Sequence, residues 1–537
     1  MLFRSASKVL NATLPHKIVV KAKFEFSRSF KTLIAFLFPI DASDSSRNLL
    51  IPNNAMFSPE KVADWVKQNP IPIHVIISTD IIILLESIYF KQYITFSAAK
   101  GVKINLNMYQ NDPAYNRPIL KLTRPFLKFM HIESSSGIML AACTIIALIL
   151  ANTEFNQTYA RFWQYKLEIS FADYSLSYPL WYWINDGLMT IFFFVIGLEI
   201  KRELVLGELR DRRRVILPVV AAVFGALIPA LIFFLIQRES PGANGWAIPM
   251  ATDIAFVVGA LTILGNKIPR GLKVFLLSLA IIDDIIAIAV IAIFYSGNIE
   301  IIAISLAIVG LILMFIMNKA GIRNVWIYVL VGAGVWLVTL KSGIHPTIAG
   351  VAMGLLAPAT ALISKEKLVS FLKSADSQID EDDKDGIQIK YREILDQTEF
   401  TSREAISPLE RIEVALHPWV AFAIMPIFAL ANAAVPIEIE QIGSTMMFAV
   451  ASGLVFGKPI GIFLISYIIV KLKLADLPLD VNWTMILGAG CLAGIGFTMS
   501  LFIASLSLTG ELLNVAKTGI IIGSFISLCL EIGRAHV

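Results

Sequence analysis

Leu276-Leu277-Ser278-Leu279-Ala280-Ile281-Ile282-Asp283-Asp284-Ile285-Ile286-Ala287 places two adjacent carboxylates in the middle of an apolar run. A single acid at the centre of a membrane helix costs roughly 2.5–3.5 kcal/mol to insert. A pair of them is therefore expected to have a use. Adjacent helical residues point about 100° apart, so both carboxylates can line one cavity while making different contacts. The bland alternative is a pair neutralised by helix packing, which would need two partners.

The surroundings are equally apolar. Of 537 residues, 56% are hydrophobic and 16% charged, where a soluble chain carries about 25% charged residues. From about Ile138 onward the apolar residues fall into blocks of roughly 18–25, each long enough to cross a ~30 Å hydrocarbon layer as a helix. Twelve candidate spans centre on 136–152, 180–200, 215–236, 246–264, 272–295, 300–317, 324–340, 344–363, 412–433, 444–470, 484–506 and 513–530. The expected fold is an all-α integral membrane protein with twelve transmembrane helices. One longer connection, the loop 364–410, contains Asp380-Glu381-Asp382-Asp383-Lys384-Asp385 and has the composition of a solvated linker.

Basic residues alternate between connections. Lys121, Arg124 and Lys128 precede the first span, and Lys201, Arg202, Arg210, Arg212, Arg213 and Arg214 join the second to the third. Lys267, Arg270 and Lys273, then Lys319 and Arg323, then Lys471 and Lys473 continue the series, whereas Ser296 to Glu300 and Val435 to Gly443 carry no base. Both termini are accordingly expected on the cytoplasmic side.

The tail Glu531-Ile532-Gly533-Arg534-Ala535-His536-Val537 reads like a translated sequencing adapter, and Met1-Leu2-Phe3-Arg4-Ser5 like its opposite number. The expected map is adapter-derived 1–5 and 531–537, an N-terminal extension 6–107, a cytoplasmic segment 108–133, and a transmembrane domain 134–530. Residues 6–107 are read either as a genuine extension or as translated upstream sequence before a start at Met108. Cys143, Cys491 and Cys529 lie in apolar runs without CxxC or Cys/His spacing, so neither a disulfide framework nor a zinc site is expected.

Two further polar positions interrupt the apolar blocks. In Trp246-Ala247-Ile248-Pro249-Met250-Ala251-Thr252-Asp253-Ile254, Pro249 lacks a backbone donor and favours a broken helix. The break frees carbonyls, and Thr252 and Asp253 add the hard oxygen ligands that small cations prefer; a simple helix cap by Asp253 is the alternative. Lys458, in Val455-Phe456-Gly457-Lys458-Pro459, has about twelve apolar positions on each side and no GxxxxGK[ST] phosphate loop. It is read as the counter-ion of a buried acid. The stretch Gly488-Ala489-Gly490-Cys491-Leu492-Ala493-Gly494-Ile495-Gly496 is either a close-packing surface or a second broken helix. Paired interruptions in corresponding halves point to an inverted-repeat transporter, with spans three to five and ten to twelve as the halves.

Several strings together resemble the NhaA-type sodium/proton antiporters of bacteria. They are Trp183-Ile184-Asn185-Asp186, Gly197-Leu198-Glu199-Ile200-Lys201-Arg202-Glu203-Leu204, Ala251-Thr252-Asp253-Ile254-Ala255-Phe256 and Ala280-Ile281-Ile282-Asp283-Asp284. Leu340-Lys341-Ser342-Gly343-Ile344-His345, Leu416-His417-Pro418-Trp419-Val420, Gly457-Lys458-Pro459 and Gly494-Ile495-Gly496-Phe497-Thr498-Met499-Ser500 follow in family order. The resemblance covers about residues 130–530. It implies twelve helices with crossed, unwound helices four and eleven, and exchange of two protons inward for one sodium or lithium ion outward. By similarity Asp284 and Asp283 bind the cation and protons, Asp253 and Thr252 sit at the crossing, and Lys458 pairs with Asp283. Glu199, Arg202, Arg411 and Glu413 match a cytoplasmic pH-response cluster, although Glu410 stands where a base is expected. The 163–180 stretch resembles a small periplasmic β-hairpin through which the family forms homodimers.

A mechanism follows from competition: a cation and protons cannot occupy the same carboxylates together. Burial and pairing with a cation pull a carboxylate's proton affinity in opposite directions, so such a site can titrate near cytoplasmic pH. The expected partners are Na+ or Li+, protons and the lipid bilayer of a bacterial inner membrane, with no cofactor and no nucleic acid. The competing class, a proton-coupled symporter of an organic anion, needs cavity cations, and Lys458 is the one candidate. An intramembrane enzyme is disfavoured by the missing HExxH and the lack of a Ser/His pair sharing a site.

Overall fold

The computed structural model describes residues 135–171, 174–207, 212–265, 268–322, 324–381, 387–436 and 443–536, and the segments 1–5, 6–107 and 108–133 lie outside the described residues. The described residues within 126–376 and 397–537 form one compact unit, and those within 377–396 belong to a second.

The chain is helical almost throughout. Helix α1 (Ser135–Ala151) turns by 114° into the short α2 (Asn156–Gln164). An antiparallel hairpin follows, β1 (Lys166–Phe171) on β2 (Tyr174–Pro179), in a register running from Lys166 opposite Pro179 to Phe171 opposite Tyr174. Next come α3 (Leu180–Val205), α4 (Arg212–Gln237), a 3-10 stretch (Pro241–Met250) leading into α5 (Ile254–Leu264), and α6 (Arg270–Phe294). Helices α7 (Ile301–Lys319), α8 (Val325–Lys341) and α9 (Pro346–Leu356) complete the first part. Beyond α10 (Lys365–Glu381) and α11 (Ile387–Glu404) lie α12 (Pro408–Asn432), α13 (Thr445–Lys471), α14 (Trp483–Ala493), α15 (Phe497–Ser507) and α16 (Gly510–His536).

Helix starts are set by local chemistry. Asn324, Ser407, Ser444 and Asn482 cap α8, α12, α13 and α14 by accepting from the N–H groups of Trp326, Glu410, Met447 and Met485, the usual supply for helix-end donors without an intrahelical partner. Pro408 at the first helical position of α12 fixes a φ that suits a helix start.

Among the described residues, eight helices are long and apolar enough to cross a membrane, or up to ten when each of two bent pairs counts as one span. The expected count of twelve differs because α8 has 17 residues and α9 only 11; at 1.5 Å per residue α9 is about 17 Å long, short of the bilayer core. The expectation over 344–363 joined α9 to non-helical flanks. The 364–410 connection, expected as a solvated linker, contains two polar amphipathic helices, α10 and α11, while residues 382–386 of its acidic run fall outside the described ones.

Large apolar side chains face outward along α4, α7 and α8, including Ile302 (79% exposed) and Trp326 (78% exposed). A soluble protein rarely presents so continuous an apolar surface, and hydrocarbon is its natural solvent. The chain is thus a multi-pass membrane protein. Inside, α3 and α9 meet backbone to backbone: a Cβ on Gly197 would stand 2.6 Å from the carbonyl oxygen of Val351. Such close contact is how membrane helices associate where no water drives them together.

Candidate functional site

Two interrupted helices meet in a buried region, where Thr252, Asp253 and Thr498 are all almost fully enclosed. One break is Ala251-Thr252-Asp253, extended chain between the 3-10 stretch and α5. The other is Gly494-Ile495-Gly496, where α14 gives way to α15 with a 45° bend. In hydrocarbon every freed backbone group needs a partner, and each break supplies the other's. The Asp253 N–H donates to the Ile495 carbonyl (2.7 Å) and the Thr252 hydroxyl to the Ala493 carbonyl (2.9 Å). From the opposite side, the Ser500 hydroxyl donates to the Ile248 carbonyl (2.7 Å).

Asp253 closes the crossing. Its Oδ1 accepts from the Phe256 N–H (3.1 Å) and its Oδ2 from both the N–H (2.9 Å) and the hydroxyl (2.5 Å) of Thr498. One carboxylate thereby caps α5 and ties down the first turn of α15, where the positive ends of both helix dipoles favour a negative charge. Thr498→Val is expected to remove one charge-assisted hydrogen bond, costing about 1.5–3 kcal/mol and lowering the melting temperature by several degrees in detergent. A melting curve that superimposes on wild type would refute the clasp.

Lys458 lies beside the crossing at the end of a π-helical turn, Gly453–Gly457, in α13. Gly457 permits this, because a Cβ there would stand 2.6 Å from Pro229 Cα of α4. The Lys458 side chain is fully buried, and its ammonium donates to Asp283 Oδ2 (2.5 Å) and Thr252 Oγ1 (3.0 Å). Asp283 keeps one buried oxygen, Oδ1, without a hydrogen-bond partner among the described residues. Asp284 is 1% exposed, and neither of its oxygens has one. Buried polar atoms in proteins are normally satisfied. Three carboxylate oxygens on neighbouring residues are thus left as open acceptors, the kind of group that a proton or a hard cation satisfies.

The profile of the Na+/H+ antiporter 1 family matches residues 127–533. The chain belongs to that family. Relatives include the Na(+)/H(+) antiporter NhaA of Rhodopirellula baltica, 44% identical over 418 residues, which are 78% of this chain and 94% of that one. The Na(+)/H(+) antiporter NhaA 2 of Vibrio vulnificus is 44% identical over 420 residues (76% and 93%), and the Na(+)/H(+) antiporter NhaA of Rhizobium meliloti is 43% identical over 413 (77% and 94%). A solved structure of the sodium proton antiporter MjNhaP1 from Methanocaldococcus jannaschii at pH 8 matches 75% of this chain and 90% of that one at 15% identity and a TM-score of 0.38.

In this antiporter chain the candidate residues divide into two places. Thr252, Lys458 and Asp283 form one hydrogen-bonded set, with Asp253 beside Thr252 in sequence and bonded to Phe256 and Thr498, and Asp284 adjoining Asp283. Glu199, Arg202 and Glu413 form another: the Arg202 guanidinium bonds Glu413 and lies 3.3 Å from Glu203 and 3.9 Å from Glu199. Arg411 turns away from these and lies 3.7 Å from Glu404. Glu410, where a base was expected, is the third residue of α12, and its N–H and carboxylate both bond the Ser407 hydroxyl (3.2 and 3.4 Å).

Sequence reasoning gave no role to Thr498 and Ser500, although both lie in a quoted string. A threonine two residues past a glycine break was the available signal. It also missed a buried polar group around Asp186, whose carboxylate lies 3.4 Å from His345 Nε2, with Thr347 Oγ1 2.7 Å from His345 Nδ1 and Asn185 paired to Asn432 (2.7 Å).

Proposed function

We propose that this chain exports Na+ or Li+ in exchange for protons across a bacterial inner membrane, with Asp284, Asp283, Asp253 and Thr252 as the ion-binding set and Lys458 as the counter-ion of Asp283. The observation that carries the reading is Asp284, an acid buried in an apolar helix with both oxygens unpartnered beside an engaged Asp283–Lys458 pair.

The exchange is competition for these oxygens. Na+ draws Asp284 and Asp283 Oδ1 into its coordination shell and displaces protons; protonation removes the negative charge that holds the ion. Asp253 contributes field more than ligation, because its carboxylate already accepts three hydrogen bonds. With two protons moved per Na+, each cycle carries one net charge, worth about 2.3 kcal/mol per 100 mV of membrane potential. An organic-anion symporter would have to use Lys458, whose ammonium already has two acceptors.

The same reading takes the chain as twelve spans built from inverted repeats with crossed broken helices, both termini in the cytoplasm, alternating access by rocking of one bundle against the other, and a homodimer through the 163–180 hairpin. Glu199, Arg202, Arg411 and Glu413 are its pH-response residues.

Everted membrane vesicles containing the protein, acidified by respiration and reported by a fluorescent weak base, test it. Addition of Na+ or Li+ is expected to release protons and restore fluorescence, whereas K+ is not. No response to Na+ or Li+ at any pH from about 6.5 to 9 would refute the reading.

A further inference from the structure

The connection 364–410 is closed at its neck. The Leu362 and Ile363 N–H groups both donate to the Glu404 carbonyl (3.0 and 3.1 Å), and the Leu409 N–H donates to the Pro358 carbonyl (3.1 Å). Chain entering and leaving the connection is thus stapled together by backbone. At this neck the Glu404 side chain, 6% exposed, meets Arg411, 12% exposed, at 3.7 Å, and the guanidinium also donates to the Arg403 carbonyl (3.4 Å). An ion pair this buried resists screening, and removing one partner strands the other.

Arg411 and Glu413 are two residues apart, about 200° around the helix. Their side chains therefore leave α12 on opposite sides, and the structure shows where each goes: Glu413 to Arg202 of α3, Arg411 to Glu404 of α11. The first turns of α12 are held from two directions by two ion pairs. Glu413 is buried and its Oε2 has no hydrogen-bond partner among the described residues, so its position depends on how α12 is held.

We propose that Glu404 is a positioning residue: by anchoring Arg411 it fixes the start of α12 and couples the last turns of α11 to the Arg202–Glu413 pair. The inference rests on the exchange reading above. The titratable and charged groups gathered there are Glu199, Arg202 and Glu203 from α3, Arg403 and Glu404 from α11, and Glu410, Arg411, Glu413 and His417 from α12. Loss of the Glu404 charge shifts their balance toward positive and releases the Arg411 side of α12.

The test is the pH profile of Na+-induced proton release in everted vesicles, at matched protein content, for wild type and for Glu404→Gln, Arg411→Gln and the double variant. Glu404→Gln is expected to move the half-activating pH by at least about 0.5 unit, a modest shift for loss of one charged neighbour, with exchange at the optimum within about twofold of wild type. The double variant should move no further than either single one, because both remove one interaction. Glu404→Asp should retain the wild-type profile. If Glu404→Gln does not accumulate, the reversed pair Glu404→Arg/Arg411→Glu substitutes for it and should restore the wild-type profile. A Glu404→Gln profile that superimposes on wild type, shifts that add in the double variant, or a reversed pair that behaves like a single loss would overturn the proposal. Failure of the wild-type chain to exchange at all would instead sink the functional reading.

Discussion

Asp284→Asn is expected to abolish Na+-driven proton release while leaving the protein as stable as wild type or more so. The two effects separate because of what surrounds the side chain. Neither Asp284 oxygen accepts a hydrogen bond among the described residues, so no fold contact is lost with its charge. Replacing a buried, uncompensated carboxylate with a neutral isostere relieves a desolvation cost and is neutral or stabilising. Asparagine keeps one carbonyl oxygen as a ligand but can neither neutralise a cation nor exchange a proton. Transport should fall at least about 100-fold, equivalent to roughly 2.7 kcal/mol. Vesicle flux and a thermal melt on the same preparation decide it. Transport at wild-type rates would remove Asp284 from the site, and a large fall in melting temperature would show that the residue serves the fold instead.

Lys458→Met should have the opposite profile, with stability hit first. Lysine and methionine have similar apolar stems, so the change chiefly deletes an ammonium that serves Asp283 and Thr252 together. Breaking a buried ion pair by removing one partner typically costs about 3–5 kcal/mol, since the remaining charge stays in a low-dielectric interior. The melting temperature is expected to drop more than for any other single substitution here. Adding Asp283→Asn to Lys458→Met should recover much of that loss, and the recovered fraction measures the pair's coupling. If the double variant melts below the single one, the 2.5 Å contact is not what stabilises this region. Exchange should be impaired in the single variant even where protein survives.

Much of the architecture was legible because hydrocarbon leaves few options. Apolar blocks of membrane length had to be helices, and Asp283, Asp284 and Lys458 at their centres had to find partners or a purpose. Pro249 marked the first break, whereas the Gly488–Gly496 stretch could be read as a second break or as a close-packing surface. What the sequence hid was partnership at a distance. Asp253 was legible as a polar group at a break, but its main partner, Thr498, lies 245 residues away, and nothing local to either residue announces the other. Glu404 looked like one more charge in a polar linker; its burial against Arg411 depends on a backbone staple that no periodicity encodes. Glu410 looked anomalous when judged as a charge and became ordinary once seen as the third residue of a capped helix. The short α9 was overextended because apolar composition around Pro346–Leu356 continues past the residues that are helical.

The interlocked breaks also say something about how the chain is made. Ribosomes deliver roughly 5–20 residues per second, so the 245 residues between Asp253 and Thr498 take about 12–50 s to emerge. Throughout that interval the Asp253 N–H and Oδ2 lack Ile495 and Thr498, and only Oδ1 has its local partner, the Phe256 N–H. The first break is therefore completed only once α14 and α15 have been made.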